Sequence, residues 1–318
     1  MIWDDLKEII AKNDSFLISS HENPDGDSIG SQLAFYKYLK NIGKNIKIYN
    51  KDKPTQKFHF LPNCEILSDI PPNEKFDVLV ILDCSNSQRT VVENVEKKFA
   101  EKIVNIDHHR DNSMFGDVNC VDVKAAATSQ ILYRFFKENN INCDNDMANC
   151  LLAGIMTDSG GFQFNNYDGT LYSIANDLIK CGADNKSLFR NLFTTTSVAA
   201  MKVRAKVWET LRFYENDKIS IIRMPGKLYE EYGTDSSATE GMSNAVLGGE
   251  GIEVGIFLRY DENETHFSLR SAGKVDVGEI AAKADIGGGH KFAAGGTMKN
   301  VSYEEAIKIL IERIKEKL

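Results

Sequence analysis

Long apolar runs and a secretory leader are missing from this sequence. No stretch approaches the roughly 20 apolar residues that a membrane-spanning helix needs. The first residues are acidic and amphipathic, and they lack the basic region followed by an apolar region that directs secretion. The sequence therefore predicts a cytoplasmic location with no membrane partner.

Cysteines with the spacing of a redox or zinc motif are also missing. The six cysteines show no Cys-x-x-Cys spacing and lie within apolar or helical patterns, at positions 64, 84, 120, 143, 150 and 181. This distribution is typical of reduced thiols in the core of a cytosolic protein.

The chain has fewer positively charged than negatively charged side chains. The chain has 38 lysines and arginines against 46 aspartates and glutamates, a net charge of −8. Duplex DNA and long RNA are bound by neutralising many phosphates at once, so this charge argues against either as a partner. A small anionic substrate that is held locally by metal ions is compatible with it.

The length and the order of the patterns predict a two-domain α/β protein. The 318 residues, 42% of them hydrophobic, are enough for two cores. Alternating strand and helix patterns predict a parallel-sheet domain over residues 1–190, followed by a helical linker without a strand over 191–215. A smaller α/β domain is predicted over 216–318.

A turn after the first buried strand carries three candidate metal ligands. His21, Asp25 and Asp27 follow the spacing His-x-x-x-Asp-x-Asp between a strand pattern and a helix pattern that starts near Ser28. Imidazole and carboxylate ligands suit Mn, Mg or Zn. The alternative is a turn that only caps the helix, with Asp27 or Ser28 as N-cap.

Two later strands also end in potential ligands. Asp83 follows the buried run FDVLVIL, and Asp107, His108 and His109 follow KIVNI. The carboxyl ends of parallel strands line one edge of a sheet, which is where ligands bind in such folds. Asp158 ends a helix pattern beside two glycines, where the helix dipole disfavours an acid unless a cation is near.

The predicted second domain offers two anion-binding candidates. A hairpin around residues 261–264 places Arg270 on the polar face of its second strand, available for a phosphate. The glycine run 287–289 before His290 predicts a loop whose N–H groups can hold an anion. A tight turn with no ligand explains the same glycines equally well.

The motifs HENPDGD, NIDHH, TDSGG and GGGHKFAAGG, together with the Asp83 strand, occur in an order that resembles the DHH phosphoesterases with a C-terminal DHHA1 domain. The two-domain layout is similar to the branch of nanoRNases and pAp phosphatases. Gln130 departs from the pattern, because the family leads us to expect an acidic residue there.

The resemblance implies two Mn²⁺ ions per active site, with Mg²⁺ or Co²⁺ as possible substitutes. It assigns the first ion to His21, Asp25 and Asp83, and the second to a set that shares Asp83: Asp27, Asp83, His108 and Asp158. The implied catalytic residues are Asp83, Asp107 and His109. Asp107 would orient an imidazole, and His109 would bind phosphoryl oxygens or assist proton transfer, unless it only packs under the site. The implied substrate contacts are His109, Arg270, Ser271, Gly288, Gly289 and His290.

The resemblance further implies that the substrates are short oligoribonucleotides and 3′-phosphoadenosine 5′-phosphate (pAp). The alternatives are a phosphodiesterase for linear or cyclic dinucleotides, a single-strand DNA exonuclease, and a nucleotide-binding protein without turnover. A homodimer is left open by the sequence.

Overall fold

The computed structural model describes residues 3–91, 98–163 and 168–318. By their internal contacts they divide into two units, Met1–Thr195 and Thr196–Leu318. The boundary falls inside the predicted linker. Among the described residues, no helix combines the length and the apolar character that crossing a bilayer demands.

The first unit is built on parallel strands, in the order β2-β1-β3-β4-β5 among the described residues. The strands are β1 (Ser15–Ser19), β2 (Asn45–Ile48), β3 (Phe76–Leu82), β4 (Ala100–Asp107) and β5 (Val118–Val121). The helices are α1 (Asp4–Lys12), α2 (Gly26–Asn41), α3 (Thr128–Glu138), α4 (Asn145–Asp158), α5 (Thr170–Lys180) and α6 (Asn185–Phe189), and a π-helix follows at Arg190–Thr194.

The central strand β3 is apolar along nearly its whole length because both of its faces are covered, as parallel strands in α/β folds require. Helix α4 is also apolar on most sides, since it packs against α2, α3 and α5. A Cβ on Gly30 of α2 would lie 2.4 Å from the carbonyl oxygen of Cys150. The glycine therefore lets α2 and α4 approach closely, and the start of α2 lies beside the end of α4, where a Cβ on Gly26 would lie within 3 Å of the Thr157 side chain.

The second unit has a mixed sheet in the order β10-β11-β9-β8-β7-β6. The strands are β6 (Arg212–Tyr214), β7 (Ile219–Pro225), β8 (Val254–Tyr260), β9 (Glu264–Ser271), β10 (Ile286–His290) and β11 (Ala293–Lys299). The helices are α7 (Val198–Trp208), α8 (Leu228–Glu231), α9 (Met242–Ala245), α10 (Val277–Ala281) and α11 (Tyr303–Lys315). The predicted α/β architecture is thus present in both units.

Three local predictions need correction. The linker was expected to be helical without a strand, but Arg212–Tyr214 forms β6, which pairs antiparallel with β7. The helical pattern is also interrupted before α7, where the Ser197 hydroxyl accepts from the N–H of Ala200 and starts a new helix. The glycine run 287–289 is not a loop, because it lies in β10 and pairs with β11. The run SNSQRTVVENVEKKFA after Asp83 has a sequence pattern that predicts a helix, but it forms a 3-10 turn at Ser87–Arg89, and residues 92–97 of the run lie outside the described residues.

Candidate metal centre and active site

The candidate ligands lie at the carboxyl ends of three adjacent strands. His21 comes two residues after β1, Asp83 directly follows β3, and Asp107 ends β4. Asp83 has a left-handed backbone, with φ of +60°, which is costly for a residue other than glycine. Strain of this kind is concentrated at functional sites, where the surrounding structure holds it in place.

One group of ligand atoms comprises His21, Asp25 and Asp83, whose donor atoms lie within 4.8 Å of one another. His21 Nε2 is 3.8 Å from Asp25 Oδ1 and 3.6 Å from Asp83 Oδ2. His21 Nδ1 lies 2.6 Å from the carbonyl oxygen of Glu22, a contact that holds the proton on Nδ1 and leaves Nε2 as the ligand atom.

Asp25 also caps α2, because its Oδ1 accepts from the N–H groups of Asp27 and Ser28. The sequence offered capping by Asp27 or Ser28 as the alternative to metal binding. In the structure the N-cap residue of α2 is Asp25, and the carboxylate of Asp25 also lies close to His21. Capping and ligation are therefore compatible at this turn.

A second group comprises Asp27, His108 and Asp158, again with donor atoms within 4.8 Å of one another. His108 Nε2 is 3.2 Å from Asp158 Oδ2 and 3.5 Å from Asp83 Oδ1. The two oxygens of Asp83 thus face different histidines, Oδ2 towards His21 and Oδ1 towards His108. A carboxylate in this position can bridge two cations.

The charges at the site favour the binding of cations. Burial, and then the charges of Asp83 and Asp158, raise the pKa of Asp27 well above its usual value. Burial likewise raises the pKa of Asp158 to about 6. Burial opposes protonation of His21 and His108, but their carboxylate neighbours outweigh it and raise both pKa values to about 10. Without another source of positive charge this cluster holds protons, and divalent cations bound by the same oxygen and nitrogen donors would replace them.

Asp107 and His109 form a hydrogen-bonded pair beside these groups, and His109 Nδ1 also lies 3.8 Å from Asp83 Oδ1 in a third group of ligand atoms, Asp83, His108 and His109. His109 Nδ1 lies 2.7 Å from Asp107 Oδ1, and Asn112 donates to Asp107 Oδ2 at 2.5 Å. Burial alone would raise the pKa of Asp107, but the bonds from His109 and Asn112 lower it. The bond to Asp107 in turn raises the pKa of His109. The pair resembles the carboxylate–imidazole arrangement that fixes a histidine's orientation and tautomer.

Four residues at the site were not singled out from the sequence. Asn112 holds Asp107, and Thr128 and Ser129 at the start of α3 bond to Asp83 and Asp27. A Cβ on Gly154 would lie 2.6 Å from Asp27 Oδ1, so this glycine leaves room for the carboxylate. Asn112 lies in the segment after β4 and the other three lie in helices, and all four are common residue types at common positions, so the sequence pattern does not single them out.

Gln130, the departure from the family pattern, has a structural contact. It is 3% exposed, and its Oε1 accepts from the N–H of Ala126 at 2.7 Å. The side chain therefore supports the turn that leads into α3.

In the second unit, Arg270 and His290 lie on the same face of the sheet. His290 pairs with Ala293 on β11, and Ala293 pairs with Arg270 on β9, so their side chains share a face two strands apart. Arg270 Nε donates to Asn244 Oδ1 at 2.6 Å. Gly288 and Gly289 are exposed on the neighbouring positions of β10.

Ser271 does not fit its predicted contact with substrate. It is 5% exposed on the opposite face of β9 from Arg270, and its hydroxyl donates to the carbonyl oxygen of Val275 at 2.6 Å. Because neighbouring residues of a strand point to opposite faces, Arg270 and Ser271 cannot both present their side chains to one ligand.

Comparisons with known proteins agree with this arrangement. The family model of the DHH family N-terminal domain matches residues 15–155, and that of the DHHA1 domain matches 217–318. The chain is 33% identical over 306 residues to the bifunctional oligoribonuclease and PAP phosphatase NrnA of Thermus thermophilus, covering 95% of this chain and 89% of that protein. It is 27% identical over 330 residues to the cyclic-di-AMP phosphodiesterase GdpP of Bacillus subtilis, covering 98% of this chain but 49% of that protein.

A solved structure has the same fold. An exopolyphosphatase-related protein from Bacteroides fragilis superposes with a TM-score of 0.88 at 24% identity, covering 99% of this chain and 96% of that one.

Proposed function

Because this chain belongs to the DHH phosphoesterase family and carries a DHHA1 domain, we propose that it is a metal-dependent hydrolase of short oligoribonucleotides and pAp. The observation that carries the proposal is the position of Asp83, whose two carboxylate oxygens face His21 and His108. The similarity to the oligoribonuclease and PAP phosphatase of Thermus thermophilus supports the choice of substrates.

We assign one ion to His21, Asp25 and Asp83 and the other to Asp27, Asp83, His108 and Asp158. Divalent ions held by these residues would supply positive charge that activates water and stabilises the oxygens around phosphorus. Mixed carboxylate and imidazole donors suit Mn²⁺, Mg²⁺ or Zn²⁺, and from the family resemblance we propose Mn²⁺, with Mg²⁺ or Co²⁺ as substitutes.

Asp107 and His109 are assigned to the substrate rather than to the ions. Asp107 holds the proton on His109 Nδ1 through a 2.7 Å bond, so Nε2 is the nitrogen that is available to a phosphoryl group. We propose that His109 Nε2 binds a phosphoryl oxygen or passes a proton to the leaving oxygen. The raised pKa of His109 favours the protonated form that either role needs.

We also propose that the exposed face of the second unit binds the part of the substrate that is not hydrolysed. Arg270, Gly288, Gly289 and His290 are the residues assigned to it. A guanidinium can bind a phosphate through two N–H groups, which suits the second phosphate of pAp or of a dinucleotide. Short substrates need few such contacts, which is compatible with the acidic chain.

A second candidate function is hydrolysis of cyclic-di-AMP or of its linear product pApA. It is favoured by the similarity to GdpP over nearly the whole of this chain. Rates on pAp, pApA, pGpG and cyclic-di-AMP, measured side by side with Mn²⁺, separate the two candidates. A strong preference for the cyclic dinucleotide would replace the proposed substrates.

The metal requirement has a direct test. Protein that is stripped with a chelator should lose hydrolysis of a diribonucleotide and regain it with Mn²⁺, whereas Asp83→Ala should not recover. Asp69→Ala, which removes a carboxylate paired with Lys53 at 3.5 Å, is the matched control and should behave as the unaltered protein. Hydrolysis that persists after stripping and in Asp83→Ala would reject the proposal.

A further inference from the structure

The start of helix α3 contacts both buried carboxylates of the site. Thr128 Oγ1 donates to Asp83 Oδ1 at 3.0 Å. The N–H groups of Thr128 and Ser129 donate to the two oxygens of Asp27, at 2.5 and 2.9 Å. Thr128 and Asp27 are fully buried, and Asp83 is 1% exposed. Solvent water is therefore not available to replace these bonds.

The bond from the Thr128 hydroxyl determines how the Asp83 carboxylate is turned. It falls on Oδ1, the oxygen that is 3.5 Å from His108 Nε2, and leaves Oδ2 facing His21. Rotation of the carboxylate would break this bond in a site where a lost bond cannot be remade with water. A threonine side chain has few χ1 rotamers, so its hydroxyl has few alternative positions.

The Asp27 carboxylate is fixed by the same segment but through the main chain. Both of its oxygens accept N–H groups of α3, and Ser31 Oγ lies 3.4 Å from Oδ1. A substitution of Thr128 keeps its N–H and removes only the hydroxyl. The effect of that substitution therefore reports on Asp83 and not on Asp27.

We propose that Thr128 is a positioning residue that orients Asp83 so that each of its oxygens meets a different cation. The inference rests on the proposed function, because it assumes that Asp83 bridges two ions. Thr128 itself is not among the residues assigned to either ion. Its role is to make the affinity for the second ion depend on a hydroxyl that lies outside the two assigned ligand sets.

The test compares Thr128→Val, which has nearly the same shape without the hydroxyl, with Thr128→Ser, which keeps it. Mn²⁺ binding to stripped protein is measured by titration calorimetry, with kcat and KM on a diribonucleotide and thermal unfolding of the metal-free protein. We expect Thr128→Val to weaken Mn²⁺ binding and to lower kcat, each by about 10- to 100-fold, as residues that orient metal ligands do. KM should stay unchanged, and Thr128→Ser should stay within about 2-fold of the unaltered protein.

Thr265→Val is the matched control. Thr265 is also fully buried, and its hydroxyl donates to the carbonyl oxygen of Val301 at 3.0 Å. The substitution removes the same kind of bond in the second unit, so it should lower stability and leave Mn²⁺ binding unchanged. If Thr128→Val does not fold, Thr128→Ala replaces it and is compared with Thr128→Ser.

The outcomes are separable. Weaker Mn²⁺ binding in Thr128→Val than in Thr265→Val at comparable stability supports the inference. Equal Mn²⁺ affinity and kcat in these two variants, or in Thr128→Ala and Thr128→Ser, overturns it. If the unaltered protein binds no Mn²⁺ or hydrolyses the substrate without it, the proposed function fails first, and the inference fails with it.

Discussion

Replacing Gly154 by alanine tests how closely helix α4 must approach the buried carboxylates. A Cβ at this position would lie 2.1 Å from Ser129 Oγ and 2.6 Å from Asp27 Oδ1. Ordinary van der Waals contacts begin at 3.4 Å. Ser129 Oγ and Asp27 Oδ1 would therefore have to move away from the added Cβ by about 1.3 and 0.8 Å, respectively. Asp27 Oδ1 accepts from the N–H of Ser129, and Ser129 Oγ lies 2.9 Å from Ser31 Oγ, so moving either clashing atom disturbs a buried hydrogen bond.

The expected magnitude follows from two opposing effects. Alanine is favoured over glycine inside a helix by about 1 kcal/mol. Forcing a methyl group into a packed interior costs about 1–3 kcal/mol. A net loss of stability of about 1 kcal/mol is expected, while displacement of a ligand by about an ångström can reduce turnover by about 100-fold. The defect should therefore be much larger in catalysis than in stability.

The assay measures thermal unfolding, Mn²⁺ binding and kcat for Gly154→Ala. Gly43→Ala is the control, because Gly43 has φ of +77° and nothing lies within 4 Å of an added Cβ. It should lose about 1 kcal/mol through backbone strain and keep full Mn²⁺ affinity and turnover. Unimpaired Mn²⁺ binding and kcat in Gly154→Ala would refute the reasoning that Asp27 is a ligand held by close helix packing.

Three further predictions concern the assigned roles. Asp83→Asn should bind at most one Mn²⁺ per chain in a titration, because an amide cannot bridge two cations as a carboxylate does; two ions with unchanged affinity would contradict this. His109→Gln should lower kcat by about 100-fold or more in steady-state assays while Mn²⁺ binding stays unchanged, since the imidazole is assigned to the substrate. Arg270→Ala should raise KM for pAp far more than KM for a generic aryl phosphate ester, whereas Ser271→Ala should change neither. Equal effects of Arg270→Ala on both substrates would count against a phosphate contact.

The strand-end ligands could be predicted because they depend on local pattern. A buried apolar run that ends in a polar residue defines both the strand and the edge at which its last side chain lies. His21, Asp83 and Asp107 were placed in this way, and parallel pairing of β1, β3 and β4 brings them together. The α/β class followed from the same alternation of strands and helices.

The supporting residues could not be predicted, because their contacts join parts of the chain that are distant in sequence. Asp27 meets Ser129 across about a hundred residues, and Gly154 matters only because α4 packs against that pair. The glycine run at 287–289 predicts a loop because glycine normally weakens strands. Pairing with β11 outweighs that tendency, and Gly289 with φ of +142° shows why glycine is needed there.

The case of Ser271 differs, because the sequence itself contained the information needed to place its side chain on the buried face of β9. The alternation along β9 that puts Arg270 on the exposed face puts Ser271 with Phe267 and Leu269 on the buried one. Adjacency to a candidate residue in sequence is therefore poor evidence for a shared role in a strand.

The most direct test of the two-ion centre is the position of bound manganese. Crystals of the unaltered protein grown with Mn²⁺, and measured at the manganese absorption edge, should show two anomalous peaks about 4 Å apart. The account predicts that both ions are bonded to Asp83, one with His21 and the other with His108. A single ion, or two ions that do not share Asp83, would contradict it.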